Sequence, residues 1–214
     1  MKDIAIFGAG GLGRETTILI KEINKNGGDW NFLGYFDDGK EKGMQISHFG
    51  KVLGGVNEIN SWPSELALVL AIGNPNSVKG VKERINNPKI HFPNLIAPNA
   101  TVADPETFSI GEGNIIGGGT WMSCDVQIGS FNLFNGDIVV GHDVIIGNYN
   151  TIMPDIRISG EVTIGDENLI GVGSIILPQI KIGNNIHLGA GSVLMTKPKD
   201  GNTYIGNPAK LFKF

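Results

Sequence analysis

The sequence predicts two folded regions, a small α/β domain over residues 1–97 and a parallel β-helix over residues 98–214. The first is indicated by a glycine-rich turn at residues 8–13, which separates a short apolar run from a segment with helical spacing. The second is indicated by an apolar residue that returns at every sixth position from Ile110 to Leu194. Neither an α-helix nor an ordinary sheet has a period of six, whereas the coils of a parallel β-helix do.

The α/β domain is predicted from strand and helix patterns that alternate along the chain. In order, these are a strand at residues 3–7, a helix at 14–24, a strand at 32–36, a strand at 66–72 and a helix at about 77–85. Three strands joined by two crossover segments make a small parallel sheet, which we describe as a half-Rossmann-like domain. Ligands of such a sheet bind beyond the carboxyl ends of its strands.

That edge of the sheet carries residues suited to a nucleotide. A G-x-G-x-x-G turn before a helix offers backbone N–H groups to phosphate, and a carboxylate can bind ribose hydroxyls. The candidate ligand-binding residues are Gly8, Gly10, Gly11, Leu12, Gly13, Asp37, Asp38, Gly73 and Asn74. Three interpretations remain open: an NAD or NADP site, a nucleotide sugar held by half the fold, and a turn that only packs helix on strand. The small size of the domain favours the nucleotide sugar over a dinucleotide.

The β-helix follows a proline-rich connection at residues 88–98, which disfavours a helix. Three hexads make one triangular coil of about 18 residues with the apolar side chain pointing inward. Glycine often follows the apolar residue, as in Ile128-Gly129, and is expected to ease the backbone around the corner. About five coils follow one another without an internal loop. A catalytic site in this region must therefore be built on the coils or between chains.

The composition limits the partners and the cellular compartment that the sequence predicts. The formal net charge is −4 and the lysines and arginines are scattered, which argues against nucleic acid as a partner. Cys124 is the single cysteine and has no internal disulfide partner. The sequence contains neither a signal-peptide pattern nor an apolar run long enough to cross a bilayer. These features predict a cytoplasmic protein without membrane insertion.

Five motifs in this order resemble the sugar acyltransferases of the hexapeptide superfamily. They are Gly8-Ala9-Gly10-Gly11-Leu12-Gly13, Phe36-Asp37-Asp38, Ala71-Ile72-Gly73-Asn74, Val140-Gly141-His142-Asp143 and Gly206-Asn207-Pro208-Ala209-Lys210. The resemblance spans nearly the whole chain. It is strongest to the branch that contains bacterial sialic-acid O-acetyltransferases and the UDP-4-amino-sugar N-acetyltransferases of bacillosamine synthesis.

The resemblance implies a homotrimer of left-handed β-helices that transfers acetyl from acetyl-CoA, without a required metal, to a sugar amine or hydroxyl. The acceptor would be a nucleotide-linked or sialic-acid-type sugar for surface glycans, held by the N-terminal domain. The histidine at position 142 would take the proton from the acceptor, and Asp143 would tune the basicity of that histidine. Acetyl-CoA would lie between neighbouring helices, along positions Thr151, Gly160, Val172, Gly173, Ala190, Pro208 and Lys210.

His142 is also favoured by its chemistry and position. Transfer from a thioester needs a base that titrates near neutral pH, and histidine does so without perturbation. A side chain next to a coil corner should point outward, although a merely solvated histidine remains an alternative. Steps of 18 residues place Cys124 and Gly160 in line with His142, and acidic residues in line with Asp143. Because adjacent residues on a strand face opposite sides, Asp143 can orient His142 only if the chain bends between them.

Two departures from the branch keep other functions open. Leu12 and Thr151 stand where relatives often carry histidine. A trimeric scaffold that binds a nucleotide sugar without catalysis is therefore a second hypothesis. A metal-dependent hexapeptide enzyme is less favoured, because it needs three converging histidines and the helix has only His142 and His187, which are 45 residues apart.

Overall fold

The computed structural model describes residues 1–213. The chain divides into two compact units, Met1–Pro98 and Asn99–Phe214. None of the helices formed by residues 1–213 combines the length and apolar character that crossing a bilayer requires. The predicted architecture, an α/β region followed by a parallel β-helix, is confirmed.

The first unit contains seven strands and three helices within its described residues. The helices are α1 Gly11–Lys25, α2 Val56–Asn60 and α3 Pro75–Arg84. The strands are β1 Lys2–Phe7, β2 Trp30–Phe36, β3 Gln45–Ile46, β4 Gly50–Gly54, β5 Leu66–Leu70, β6 Ile90–His91 and β7 Leu95–Ile96. Six of them form a sheet in the order β3-β4-β2-β1-β5-β6, which is parallel except for the β3–β4 hairpin.

The centre of this sheet matches the sequence prediction. Residues 4–7 of β1 and the whole of β5 are runs of buried apolar residues, which is typical of parallel strands covered on both faces. Helix α1 is held on the sheet by a hydrogen bond between the hydroxyls of Thr17 and Tyr35. Burial raises the pKa of the Tyr35 phenol above its ordinary value. The helix therefore has a fixed position over β2.

The outer part of the sheet was not predicted. Residues 39–60 lack a clear apolar period, yet they form β3, β4 and the short helix α2. Two carboxylates organise the start of α2. Asp38 Oδ1 accepts the N–H of Val56 at 2.9 Å, and Glu58 Oε2 accepts the N–H of Gly55 at 2.7 Å. This bond to Gly55 lowers the pKa of Glu58.

The second unit is a stack of short strands. They are β8 Thr101–Val102, β9 Ser109–Ile110, β10 Ile115–Ile116, β11 Trp121–Met122, β12 Gln127–Ile128, β13 Leu133–Phe134, β14 Val139–Val140, β15 Ile145–Ile146, β16 Thr151–Ile152, β17 Arg157–Ile158, β18 Thr163–Ile164, β19 Leu169–Ile170, β20 Ile175–Ile176, β21 Lys181–Ile182, β22 His187–Leu188, β23 Val193–Leu194, β24 Thr203–Ile205 and β25 Lys210–Phe212.

These strands form three columns of parallel pairs. One column runs β8-β11-β14-β17-β20-β23, a second runs β9-β12-β15-β18-β21, and a third runs β10-β13-β16-β19-β22-β24 with β25 antiparallel at its end. From β9 to β23, paired residues are 18 apart, as in Ile146 and Ile164. The apolar residue of each complete hexad is the second residue of its strand and points into the core, as Ile116, Ile152 and Leu194 do with no exposed surface.

The glycines after the apolar residues do not ease the corners, which corrects the sequence prediction. The left-handed backbone lies two residues further on, and it is held by Asp125, Phe131, Asp137, Asp143, Tyr149, Asp155, Glu161, Glu167, Gln179 and Asn185 as well as by glycines. The glycine after the apolar residue instead allows the next coil to pack closely against it. A Cβ on Gly129 would lie 2.5 Å from the Gly147 oxygen, and one on Gly141 would lie 2.6 Å from the Gly160 nitrogen.

A ladder of buried asparagines runs up the interior of the coils. Its members are Asn114, Asn132, Asn150 and Asn168, each no more than 1% exposed. Asn150 Nδ2 donates to Asn132 Oδ1 at 3.0 Å and to the Gly165 oxygen at 2.9 Å. Asn150 Oδ1 in turn accepts the backbone N–H of Asn168 at 2.9 Å. The polar groups of these buried side chains are thus paired, as burial requires.

Candidate active site

His142 and Asp143 lie at the corner between β14 and β15. Asp143 has a left-handed φ of 56°, which turns the chain sharply between the two residues. Their side chains meet, with His142 Nδ1 2.7 Å from Asp143 Oδ2. The bend that the sequence prediction required is therefore present. Both side chains remain more than half exposed, at 55% and 58%.

The imidazole of His142 lies over Gly160, one coil further along. A Cβ on Gly160 would lie 2.5 Å from His142 Nε2 and 2.7 Å from Cε1. The coils stack as the sequence predicts, because the Glu161 N–H donates to the His142 carbonyl at 2.8 Å and the Asp143 N–H donates to the Cys124 carbonyl at 3.2 Å. Glu161 accepts a hydrogen bond from Gln179 Nε2 at 3.1 Å.

This corner brings a base and a hydrogen-bond donor together. A neutral His142 that donates Nδ1–H to Asp143 keeps the Nε2 lone pair free to accept a proton. Among residues 1–213, nothing accepts a hydrogen bond from the Gly160 N–H. Acyl transfer requires a proton acceptor and a donor to the oxyanion, and His142 and the Gly160 amide are the candidates for these two roles at this corner.

Most of the residues that the family resemblance assigns to acetyl-CoA binding lie elsewhere on the coils. Val172 and Gly173 follow β19, and Ala190 follows β22, so these three share a different corner from His142 and Gly160. Val172 is 45% exposed, and a Cβ on Gly173 would meet nothing within 4 Å. Pro208 and Lys210 are exposed, and they flank Ala209, whose N–H donates to the Val193 carbonyl at 2.8 Å.

Thr151 does not fit the expected contact with the acetyl group. It is the first residue of β16 and only 1% exposed. Its backbone N–H donates to the Asn168 carbonyl at 2.8 Å. A side chain closed off in this way has no surface to offer a ligand.

The nine candidate residues of the α/β unit lie at the carboxyl edge of its sheet. The Ala9 N–H donates to Asp37 Oδ2 at 2.9 Å, so the glycine turn and the acidic pair adjoin. Asp38 is engaged by Arg84 at 2.8 Å as well as by α2. Asn74 caps α3, because its Oδ1 accepts the Ser77 N–H at 3.0 Å. Leu12, which is half-buried, begins α1 beside Gly11.

The candidate glycines divide into two groups. A Cβ on Gly8 would lie 2.5 Å from the Ala71 oxygen, and one on Gly13 would overlap the Gly8 oxygen, so both are needed for packing. A Cβ on Gly10, Gly11 or Gly73 would meet nothing within 4 Å. Helix α1 also begins without a side-chain cap or an acidic residue in its first turn. Its first N–H groups are thus open to an anion.

A cleft of about 620 Å³ beside the acidic pair was missed by sequence reasoning. Its walls include Asp37 and Asp38, together with the cationic side chains of Lys40, Lys42 and Arg84. The only sequence signal was the acidic pair itself, since the lysines lie in a segment without periodicity. Within residues 1–213, no group of three or more His, Cys, Asp or Glu side chains is arranged to hold a metal ion.

Comparison with known proteins finds a family match in each unit. Residues 3–85 match the PglD N-terminal domain, and residues 161–195 match the bacterial transferase hexapeptide repeats. No curated protein matches the chain in sequence. The predicted resemblance to the hexapeptide-repeat sugar acetyltransferases is confirmed by this pair of domains and by the solved structures below.

Three solved structures are similar over almost their whole length. The acetyltransferase domain of PglB from Neisseria gonorrhoeae is 27% identical, covers 99% of this chain and 100% of its own, and has a TM-score of 0.88. WeeI from Acinetobacter baumannii is 25% identical, with coverages of 99% and 100% and a TM-score of 0.87. PerB from Caulobacter crescentus, solved with CoA and GDP-perosamine, is 24% identical and shares the fold, with coverages of 100% and 98% and a TM-score of 0.86.

Proposed function

We propose that this protein is an acetyl-CoA-dependent sugar acetyltransferase whose acceptor is an amine, or alternatively a hydroxyl, on a nucleotide-linked sugar. The observation that carries the proposal is the His142–Asp143 pair, at 2.7 Å, on an exposed corner of the hexapeptide repeats. The acetyltransferase domain of PglB has also been solved in complex with acetyl-CoA, and in that structure it is 28% identical to this chain. This similarity supports the same acyl donor here.

The chemistry follows from the groups at this corner. The acceptor amine attacks the thioester carbonyl while His142 Nε2 takes a proton from the nitrogen. Asp143 holds Nδ1 and stabilises the charge that forms on the ring. The Gly160 N–H is the proposed donor to the oxygen of the tetrahedral intermediate. His142 then returns the proton to the departing CoA sulfur.

The α/β unit is the proposed binding site of the nucleotide sugar. Gly10, Gly11 and Gly73 leave space that the protein itself does not fill. The uncapped start of α1 offers N–H groups to phosphate oxygens. Asp37 accepts the Ala9 N–H with one oxygen and the Gly39 N–H, at 2.9 Å, with the other. It therefore fixes the turn whose amides would bind the phosphates.

The proposed assembly is a homotrimer that acts in the cytoplasm. His142 and the corner formed by Val172, Gly173 and Ala190 lie apart on one chain. A groove that uses both corners needs the second corner from a neighbouring copy, as the hexapeptide resemblance implies. The single cysteine fits a reducing compartment.

The test is release of thiol from acetyl-CoA in the presence of UDP-, GDP- and dTDP-linked 4-amino sugars and of free sialic acid. One 4-amino sugar nucleotide should support turnover. His142→Ala should lower that rate by about 10²- to 10⁴-fold. His187→Ala is the matched control, since His187 is also exposed on the β-helix but lies on a strand away from Asp143.

Two outcomes would contradict the proposal. Full thiol release by the His142→Ala variant would exclude His142 as the base. Binding of a nucleotide sugar by calorimetry, with no thiol release from any acceptor, would favour the trimeric scaffold instead.

A further inference from the structure

We propose that Gly160 is a positioning residue for His142, because its missing side chain leaves the space that receives the imidazole ring. We call this space the ring notch and define it by the Gly160 Cα and the His142 ring above it. The inference rests on the proposed function, in which His142 is the base, and it gives Gly160 a role in holding that base.

The first argument is steric. The three atoms nearest to a Cβ on Gly160 all belong to the His142 ring, with Nε2 at 2.5 Å, Cε1 at 2.7 Å and Cδ2 at 3.0 Å. Real Cβ atoms essentially never lie closer than 3.0 Å to a neighbour. Any residue other than glycine would therefore force the ring out of the notch or displace the coil.

The second argument is that the β-helix backbone does not require glycine at this position. Gly160 lacks the positive φ that marks the strained corners. Two residues after the apolar residue of other hexads, the same position holds Ser130, Asn148, Pro154, Asp166, Val172 and Ala190. Because the coil accepts side chains here, the need for glycine comes from His142.

The notch completes the support of the ring. Asp143 binds Nδ1 on one edge of the imidazole, and the flat surface over Gly160 receives the edge that carries Nε2. A ring held by both contacts presents its lone pair in one direction, which is the preorganisation that general-base catalysis needs.

The test combines Gly160→Ala with nuclear magnetic resonance of His142. The variant should lower kcat by about tenfold to a hundredfold, with little change in the KM for the acceptor, since displacement of a catalytic group by about 1 Å has an effect of this size. The ¹⁵N shifts of His142 should also change from a single Nδ1–H tautomer to a mixture, because a displaced ring loses its bond to Asp143.

Two controls separate this role from general damage to the fold. Gly118→Ala changes the equivalent position of another hexad, where a Cβ would meet only the end of the Asn99 side chain, and it should leave kcat unchanged. In a His142→Ala background, Gly160→Ala should lower the residual rate much less than it lowers the wild-type rate, because there is no ring left to displace.

The tautomer measurement does not depend on turnover, so it remains decisive if no acceptor is found. Unchanged ¹⁵N shifts in Gly160→Ala would overturn the ring notch, whatever the activity. A loss of rate in the His142→Ala background as large as the loss in the wild-type background would also overturn it, since Gly160 would then act independently of the His142 ring.

Discussion

Glycine is required for different reasons in the two units of this protein. In the α/β unit, Gly8 and Gly13 bring helix and strand together, whereas Gly10, Gly11 and Gly73 face open space. In the β-helix, glycines such as Gly129 and Gly141 let one coil lie directly on the next, while the left-handed corners are mostly held by other residues. A glycine in a motif therefore does not reveal by itself whether the fold, a ligand or a side chain requires it.

The largest expected effect is a loss of stability that distinguishes the packing glycines from the open glycines in the turn at residues 8–13. Gly13→Ala should lower the free energy of unfolding by about 3 kcal/mol, because its Cβ would overlap the Gly8 carbonyl and force α1 off the sheet. Urea unfolding followed by tryptophan fluorescence would measure this, since Trp30 and Trp62 both lie in the α/β unit.

Gly11→Ala is the matched variant of the same turn. Its Cβ meets nothing, so stability should stay within about 0.5 kcal/mol or rise slightly from improved helix propensity. Nucleotide-sugar binding should nevertheless weaken by about tenfold if the ligand comes close to the backbone there. Equal stability losses in both variants would contradict the division of the turn into packing glycines and open glycines.

The second effect concerns the asparagine ladder, which has no counterpart in the α/β unit. Asn150→Ala should cost about 2 to 3 kcal/mol of unfolding free energy, because it leaves the buried N–H of Asn168 without its acceptor. Fluorescence of Trp121, the one tryptophan of the second unit, reports on this region. Exposed Gln127→Ala on β12 is the control and should change stability by less than about 0.5 kcal/mol. If Asn150→Ala loses as little stability as Gln127→Ala, the coils tolerate a break in the ladder.

The strands of the β-helix could be predicted closely because one interaction repeats in every hexad. The apolar residue from Ile110 to Leu194 is the second residue of each strand, and the 18-residue step sets every pairing between β9 and β23 in the three columns. The prediction that the glycine after the apolar residue eases the corner is wrong, because the left-handed backbone lies at another position and does not require glycine. Asp and Asn also adopt that conformation, and their recurrence three places after the apolar residue was the signal.

The candidate site could be predicted only in part. Coil arithmetic placed Gly160 in line with His142, but the direction of the imidazole depends on the left-handed φ of Asp143. The cleft with Lys40, Lys42 and Arg84 depends on β3, β4 and α2, which have no periodic pattern in the sequence. The burial of Thr151 was not predicted, because burial of a strand residue in the folded chain cannot be read from its hexad position.

The smallest expected effect tests whether the corners of the β-helix favour glycine at all. Gln179 has a left-handed φ of 65°, which costs an L-residue roughly 1 to 2 kcal/mol, whereas glycine loses roughly 0.5 to 1 kcal/mol of backbone entropy on folding. Gln179→Gly should therefore raise the unfolding free energy by up to about 1 kcal/mol, even though it removes the exposed hydrogen bond to Glu161. The reverse change at an equivalent corner is Gly191→Ala, which places a Cβ in open space at a φ of 65°. It should lower the unfolding free energy by a similar amount. Urea midpoints of both variants would measure the pair. A clear loss of stability in Gln179→Gly would show that the side chains at these corners stabilise the coil more than their backbone strain costs it.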